Sequence, residues 1–458
     1  MNTNKFDIYI LKKVVILIFC LAVGVLGAGN PIIYLVIPLV LIITLINVVK
    51  IDMILEYSFW FVVLTLFLGA YLSVPGFENI YLFRLLLPLH MLLLVIFGNF
   101  KWNDFRIYFN YILLLILLLL ISVCSLFVAD YVELGLRYCY FMVEIICIFI
   151  LCFYHLKNKK QMKKLFQIIS SIFNISLVLG LVENLTGWHL WLSGSNVYVT
   201  LTSKLQPTGF LYNTNDYALF MGILYPFAAY LFLEMKHKYL GRLLYIVTTF
   251  LTLYIIISTY SRIGMLVAII SITTVYFYQF KKRGSIILFI LTPVLFLIIK
   301  FTSIGGLMSK TVYSAYTDKF TSTDAREHLY LLLIKIIRDS NFIGVGAGNV
   351  PNKLNNLLLG YTSDGYTTGH NYWLETFGNL GFVGFIVCIC IFILFLFQLL
   401  KSGCLKKSPI PLLIWIAFLG ASIALSTILE KRFLWFILAV GICLIKQAYK
   451  EGLNRDTC

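Results

Sequence analysis

His370 opens the run His370-Asn371-Tyr372-Trp373-Leu374-Glu375, where a long polar stretch gives way to an apolar one. A neutral imidazole at such a boundary can take a proton from an attacking hydroxyl. A histidine that only anchors the chain at a membrane surface would look the same in sequence. Glu375, one helical turn past Asn371, could orient that histidine or an acceptor sugar, or could be a buried hydrogen-bonding residue. Further back, Asn213-Thr214-Asn215-Asp216 places four polar residues at one end of an apolar span. Polar clusters at membrane depth usually line a cavity.

Two arginines stand out by their surroundings. Asp324-Ala325-Arg326-Glu327 reads as an N-cap with glutamate three residues on, a capping box, and predicts a helix to about Ser340. On that helix Leu329, Leu332, Leu333, Ile336 and Ile337 share one face, and Glu327, His328, Lys335 and Arg338 lie mostly on the other, the pattern of a helix in the membrane interface. Arg326 falls within the apolar arc and, in a first turn, opposes the helix dipole. Either it snorkels to lipid phosphate, or its fork clamps a diphosphate at the membrane surface. Arg262, in Ser258-Thr-Tyr-Ser-Arg-Ile-Gly264, sits at a junction between two spans and is either an interfacial anchor or a second such cation.

The elements that position these residues are membrane spans. Of 458 residues 61% are hydrophobic and 12% charged, and the mean hydropathy is +0.94. Soluble domains carry about 25% charged residues, so a water-soluble globular protein, a disordered chain and a disulfide scaffold are all excluded. At about 20 apolar residues per span, spans fall at roughly 13–29, 31–49, 55–74, 80–98, 107–129, 131–154, 166–186, 209–233, 240–260, 262–280, 284–301, 378–400, 409–428 and 431–449. That is about fourteen, or about twelve if the tightly joined pairs at 13–49 and 240–280 merge. The first span, after Lys12-Lys13, is read as retained rather than as a cleaved signal peptide. The fold class expected is an all-α polytopic membrane protein with a single membrane domain over 1–458 and a large extracytoplasmic loop at 302–377 carrying the amphipathic helix.

Charge supports this topology. The net charge is +16. With the N-terminus in the cytoplasm, basic residues such as Lys157, Lys159, Lys160, Lys163, Lys164, Lys281, Lys282 and Arg283 fall inside. Apart from the large loop, the outside joins hold only Lys204, Arg262, Lys431 and Arg432. This is the positive-inside asymmetry; it puts both termini in the cytoplasm and leaves no basic patch for nucleic acid. Most of the cysteines lie in apolar runs as small hydrophobes, and no Cys/His cluster has metal-ligand spacing. Gly344-Val-Gly-Ala-Gly348 is glycine-rich but lacks the βαβ context of a dinucleotide site. Arg84, Arg137, Glu144 and Glu183 are given structural roles, with Glu133 and Arg137 spaced to pair at i, i+4.

The order of these motifs is similar to that of a known family. Gly209-Phe-Leu-Tyr-Asn213-Thr-Asn215-Asp216, then Thr259-Tyr-Ser-Arg262, then Arg326 with Gly344-Val-Gly346-Ala-Gly348, then His370-Asn371 and Gly381-Phe-Val-Gly384, resembles the O-antigen ligase and Wzy-type polysaccharide polymerase family over roughly 205–390. The resemblance implies glycosyl transfer from an undecaprenyl-diphosphate-linked glycan donor to an acceptor hydroxyl outside the cell membrane, with no metal and no other cofactor. It implies that Arg262 and Arg326 bind the diphosphate and stabilise it as it leaves, and that His370 acts on the acceptor, with Asn213, Asn215, Asp216, Asn371 and Glu375 around the substrate. The family's usual glutamate, just before the Gly-x-x-Gly pair, is Asn379 here, with a glutamate at 375 instead. That departure points toward a capsular or teichuronic-type repeat-unit polymerase. The partners expected are the lipid-linked donor and acceptor, the bilayer, a chain-length regulator and a flippase. The rival readings are a ligase delivering finished glycan to lipid A core or protein, and a lipid-linked oligosaccharide flippase.

Overall fold

The computed structural model describes residues 51–74, 77–196, 203–280, 320–358, 368–425 and 427–456. The expected spans at 13–29, 31–49 and 284–301 lie outside the described residues. The other eleven are each matched by a helix. Nine are long and apolar enough to cross a membrane: Ile51–Leu72, Phe109–Val128, Val132–His155, Lys159–Thr186, Thr214–Leu233, Lys238–Ser258, Arg262–Phe280, Tyr372–Lys401 and Arg432–Lys450. Leu82–Phe97 and Ile410–Ala424 are apolar but shorter. The chain is thus an all-α polytopic membrane protein, and among the described residues the departure from helix is a two-stranded ribbon at Ser73–Val74 and Phe77–Tyr81.

The chain separates into two compact units, Met1–Thr65 with Leu72–Asn99, and Leu66–Tyr71 with Phe100–Cys458. In the first, α1 (Ile51–Leu68) begins and α2 (Leu82–Phe97) follows the ribbon; Ser58 Oγ lies 2.8 Å from His90 Nδ1. The second holds every candidate site residue. Its helices are α3 (Phe109–Cys124), α4 (Val132–His155), α5 (Lys159–Thr186), α6 (Thr214–Leu233), α7 (Lys238–Ser258), α8 (Arg262–Phe280), α9 (Phe320–Asp339), α10 (Val350–Leu358), α11 (Tyr372–Lys401), α12 (Ile410–Ala424) and α13 (Arg432–Asp456). Helix α6 is central: it packs against α5, α7 and α12, and Asp216 through Ala229 are all buried. Close approach needs small residues, and Gly222 and Gly264 supply it. A Cβ at Gly264 would meet the Ala218 methyl at 2.3 Å, which packs the first turn of α8 onto the first turn of α6.

Several local expectations are corrected. Helix α9 starts at Phe320, so Asp324 lies inside it rather than capping it, and Arg326 stands in its second turn, where the dipole penalty has largely faded. The apolar face is as read: Leu329, Leu333, Ile336 and Ile337 are buried, and Glu327, His328, Lys335 and Arg338 are exposed. That face is covered by protein rather than left for lipid, because Leu329, Leu333 and Ile336 cluster with Val350 and Leu354 of α10 and with Leu374 of α11. Arg137 pairs with Glu430 at 3.0 Å rather than with Glu133. The stretch expected as loop to about Phe377 becomes helical at Tyr372, because Asn371 caps it and accepts from the Trp373 and Leu374 amides.

Helix α11 bends at Gly381 (φ 69, ψ −170). A side chain there would meet the Ile343 carbonyl oxygen at 2.1 Å. The freed backbone groups bond across to the glycine-rich segment instead: Phe382 N–H to Phe342 O and Val345 N–H to Gly378 O, both 2.8 Å. Gly344, Gly346 and Gly348 all have positive φ and press onto Asn379–Gly381, Ala129 and Leu134 respectively. The glycine motif therefore docks a loop against α11 and α4.

Candidate functional site

Helix ends gather at one end of the second unit, and each is held by a local device legible in its residues. Asn213 caps α6, its side-chain oxygen accepting from the Asn215 amide at 2.7 Å. That cap is positioned from behind by buried Glu183 of α5, whose carboxylate accepts from the Thr208 and Gly209 amides at 2.7 and 2.8 Å. Ser261 starts α8, its hydroxyl accepting from the Gly264 amide at 3.3 Å, and Arg262 is the first residue of that span, half-buried. Helix α11 is tied to α12 by Trp373 Nε1 donating to Ser422 Oγ at 2.8 Å.

His370 and Arg326, 44 positions apart in sequence, meet at one carbonyl. Ala424 O, at the end of α12, accepts from Arg326 Nη2 at 3.4 Å and from the His370 imidazole. Tyr330, one turn past Arg326, donates to His370 O at 3.4 Å. Burial pushes the imidazole down to about 4, helped by the Arg326 charge and opposed by the Ala424 carbonyl and the Asp216 carboxylate. His370 is therefore neutral at physiological pH, with a fixed cation and a fixed anion acting on it. Asp216 is buried and ion-pairs with Lys431.

His370 (φ 48), Tyr260 (φ 56) and Thr427 (φ 50) all take left-handed backbone, which L residues rarely adopt and which gathers at functional sites. His370 adjoins Asn371, Tyr260 lies two residues before Arg262 and Thr427 lies four before Lys431. Glu375 turns back on the same loop, Oε1 accepting from the Gly369 amide at 2.6 Å and the carboxylate also from the His370 amide.

Of the residues singled out in sequence, the fold brings together His370, Arg326 and Asp216 through shared contacts and charge, with Glu375 bonded to the backbone of the loop that carries His370 and Arg262 at the start of α8, two residues before the contact of Gly264 with Ala218. Asn213 and Asn371 have their side-chain oxygens committed to helix caps, and Asn215 follows the first of these. Sequence reasoning missed the segment joining α12 to α13. There Glu430, Lys431 and Arg432 each reach a different partner: Arg137, Asp216 and Glu144. The available signal was the scarcity of basic residues in outside joins, where Lys431 and Arg432 were two of four.

The chain is 24% identical over 394 residues, 81% of its own length and 79% of the relative's, to "Teichuronic acid biosynthesis protein TuaE" of Bacillus subtilis (strain 168). Residues 247–389, the stretch that contains Arg262, Arg326, His370 and Glu375, match the family model described as O-antigen ligase. The chain is accordingly a multi-pass membrane protein that is similar, over residues 247–389, to the O-antigen ligase family.

Proposed function

We propose that this protein polymerises an undecaprenyl-diphosphate-linked oligosaccharide repeat unit into a capsular or related surface polysaccharide, on the extracytoplasmic side of the cell membrane. The observation that carries the reading is the meeting of Arg326 and neutral His370 at the Ala424 carbonyl. A diphosphate is already a good leaving group, so the protein must mainly place two sugars and hold the charge that develops on departure. In this reading Arg262 and Arg326 bind the diphosphate. The acceptor hydroxyl oxygen attacks the anomeric carbon, the carbon–oxygen bond to phosphate breaks, and its electron pair leaves on the diphosphate. The hydroxyl proton passes to His370 and then to solvent.

A base held near 4 is weak in the empty site. Arrival of a diphosphate anion on Arg326 offsets the second of the two influences that depress it, so base strength rises when donor is bound. The name of the relative favours synthesis of a surface polymer over delivery of finished glycan to lipid A core. A chain-length regulator and a flippase are the expected protein partners, and nucleic acid is not.

The test is the surface glycan of cells lacking this protein, complemented by wild type or by His370→Ala. Single repeat units on lipid in the knockout, and no ladder restored by His370→Ala, are the expected result. Long polymer that forms but stays on its carrier lipid would make the protein a ligase. Single units left facing the cytoplasm would make it a flippase.

A further inference from the structure

A cavity of about 260 Å³ opens beside the candidate site, between α4, α11 and the segment joining α12 to α13. Its walls include Tyr138, Tyr372, Glu375, Asn379, Arg137 and Glu430. The volume sits just under the range of about 300–1,000 Å³ usual for drug-sized ligands. It holds roughly nine waters at about 30 Å³ each, room for one sugar ring and no more.

Charge decides what kind of molecule fits. The cavity has two carboxylates and one guanidinium, and that guanidinium is already paired with Glu430 at 3.0 Å. The lining therefore offers a phosphate or a uronate no cation that is not already paired. Two phenols, an amide and carboxylate oxygens suit a neutral polyhydroxylated ring, with aromatic surface for its apolar edge and acceptors for its hydroxyls. The Arg137 side chain is 60% exposed, so the Arg137–Glu430 pair stands at the mouth.

Glu375 joins this cavity to the imidazole. Its carboxylate lines the cavity while accepting from the Gly369 and His370 amides, so a ring bonded to it is registered against the loop that carries His370. We propose that the cavity is the binding site for one neutral sugar ring of the acceptor glycan, held by Glu375 and Asn379 and entered past Arg137 and Glu430. This rests on the glycosyl-transfer reading above and adds the location and the chemical class of the acceptor subsite. The diphosphate then binds elsewhere, on the Arg262 and Arg326 side.

The test uses the full-length protein in lipid nanodiscs, titrated with repeat-unit oligosaccharides freed of lipid and phosphate by mild acid from the strain's own surface glycan. Wild type is expected to bind. Glu375→Gln and Thr368→Trp, the latter on the half-buried rim of the cavity, are expected to weaken binding about tenfold, the upper end for one lost hydrogen bond. Lys335→Ala, on the exposed face of α9, is expected to bind as wild type does. Thr368→Trp decides the matter where Glu375→Gln does not fold. No binding by wild type, unchanged binding by Thr368→Trp, or equal loss in Lys335→Ala would each overturn the proposal. Failure of the polymerase reading is seen separately, as unchanged polymer in the knockout.

Discussion

A histidine can serve as a base only over the pH range in which it is neutral, and His370 is neutral down to about pH 4 because it is buried and because Arg326 is near. The sign follows directly: with its pKa lowered from 6.5, the imidazole loses its proton on the acid side of the ordinary range and stays unprotonated through pH 7. The acid limb of kcat/KM, which reports the free enzyme, is therefore expected near pH 4 rather than near 6.5. Arg326→Gln should move that limb upward but short of 6.5, since burial, the larger cause, remains. A pH–rate profile in proteoliposomes measures both; a wild-type limb at 6.5 would mean that a group other than buried His370 is the base. Losing either arginine should also slow turnover about 10²–10³-fold, the usual cost of one electrostatic donor to a departing anion. Rates of Arg262→Ala and Arg326→Ala at saturating donor check this.

Elements are held at the site by devices of unequal strength, and the bend in α11 is the one with least tolerance. Gly381 combines a backbone conformation closed to L residues with the Ile343 carbonyl 2.1 Å from where a Cβ would sit. Strained backbone of this kind costs about 1–3 kcal/mol before any clash is counted. Gly381→Ala is thus expected to destabilise the protein by more than that and to detach the 342–345 segment from α11. Gly403 (φ 65) also has left-handed backbone but nothing within 4 Å of a Cβ, so Gly403→Ala should cost only about 1 kcal/mol. Denaturant melts of the two variants in detergent give the comparison, and equal midpoints would show that the contact with the 342–345 segment contributes nothing.

Across the whole molecule, the segment from Thr427 to Arg432 ties α4 and α6 together through Arg137, Glu144 and Asp216, at the end where α8, α9 and α11 bring Arg262, Arg326 and His370. Membrane orientation belongs to this scale as well. The positive-inside asymmetry leads us to expect this end outside and both termini in the cytoplasm, and cysteine labelling tests that expectation. In a variant stripped of native cysteines, Ser203→Cys should react with a membrane-impermeant thiol reagent in intact cells, and Lys160→Cys only after lysis. The opposite pattern would turn the chain over and put the candidate site on the cytoplasmic face.

Sequence alone determined the membrane class, the spans that fall within the described residues and the type of most elements there, because burial in lipid demands long apolar runs whose ends carry sorted charge. It also marked His370, Arg326 and Arg262, since charged and titratable groups are few enough in such a chain for each to need a reason. Helix starts were less legible. Asn213 and Asn371 read as polar site residues although their type and place are those of caps, and Asp324 read as a cap although α9 begins a turn earlier. What only the tertiary structure decided was partnership. Arg137 finds Glu430 and Asp216 finds Lys431 across more than 200 positions, and His370 and Arg326 converge on Ala424 O. Local spacing reports contacts within a helix; which helix ends share a pocket is set by packing of Gly264 on Ala218, by the bend at Gly381 and by the strap at 427–432, none of which leaves a periodic trace in the chain.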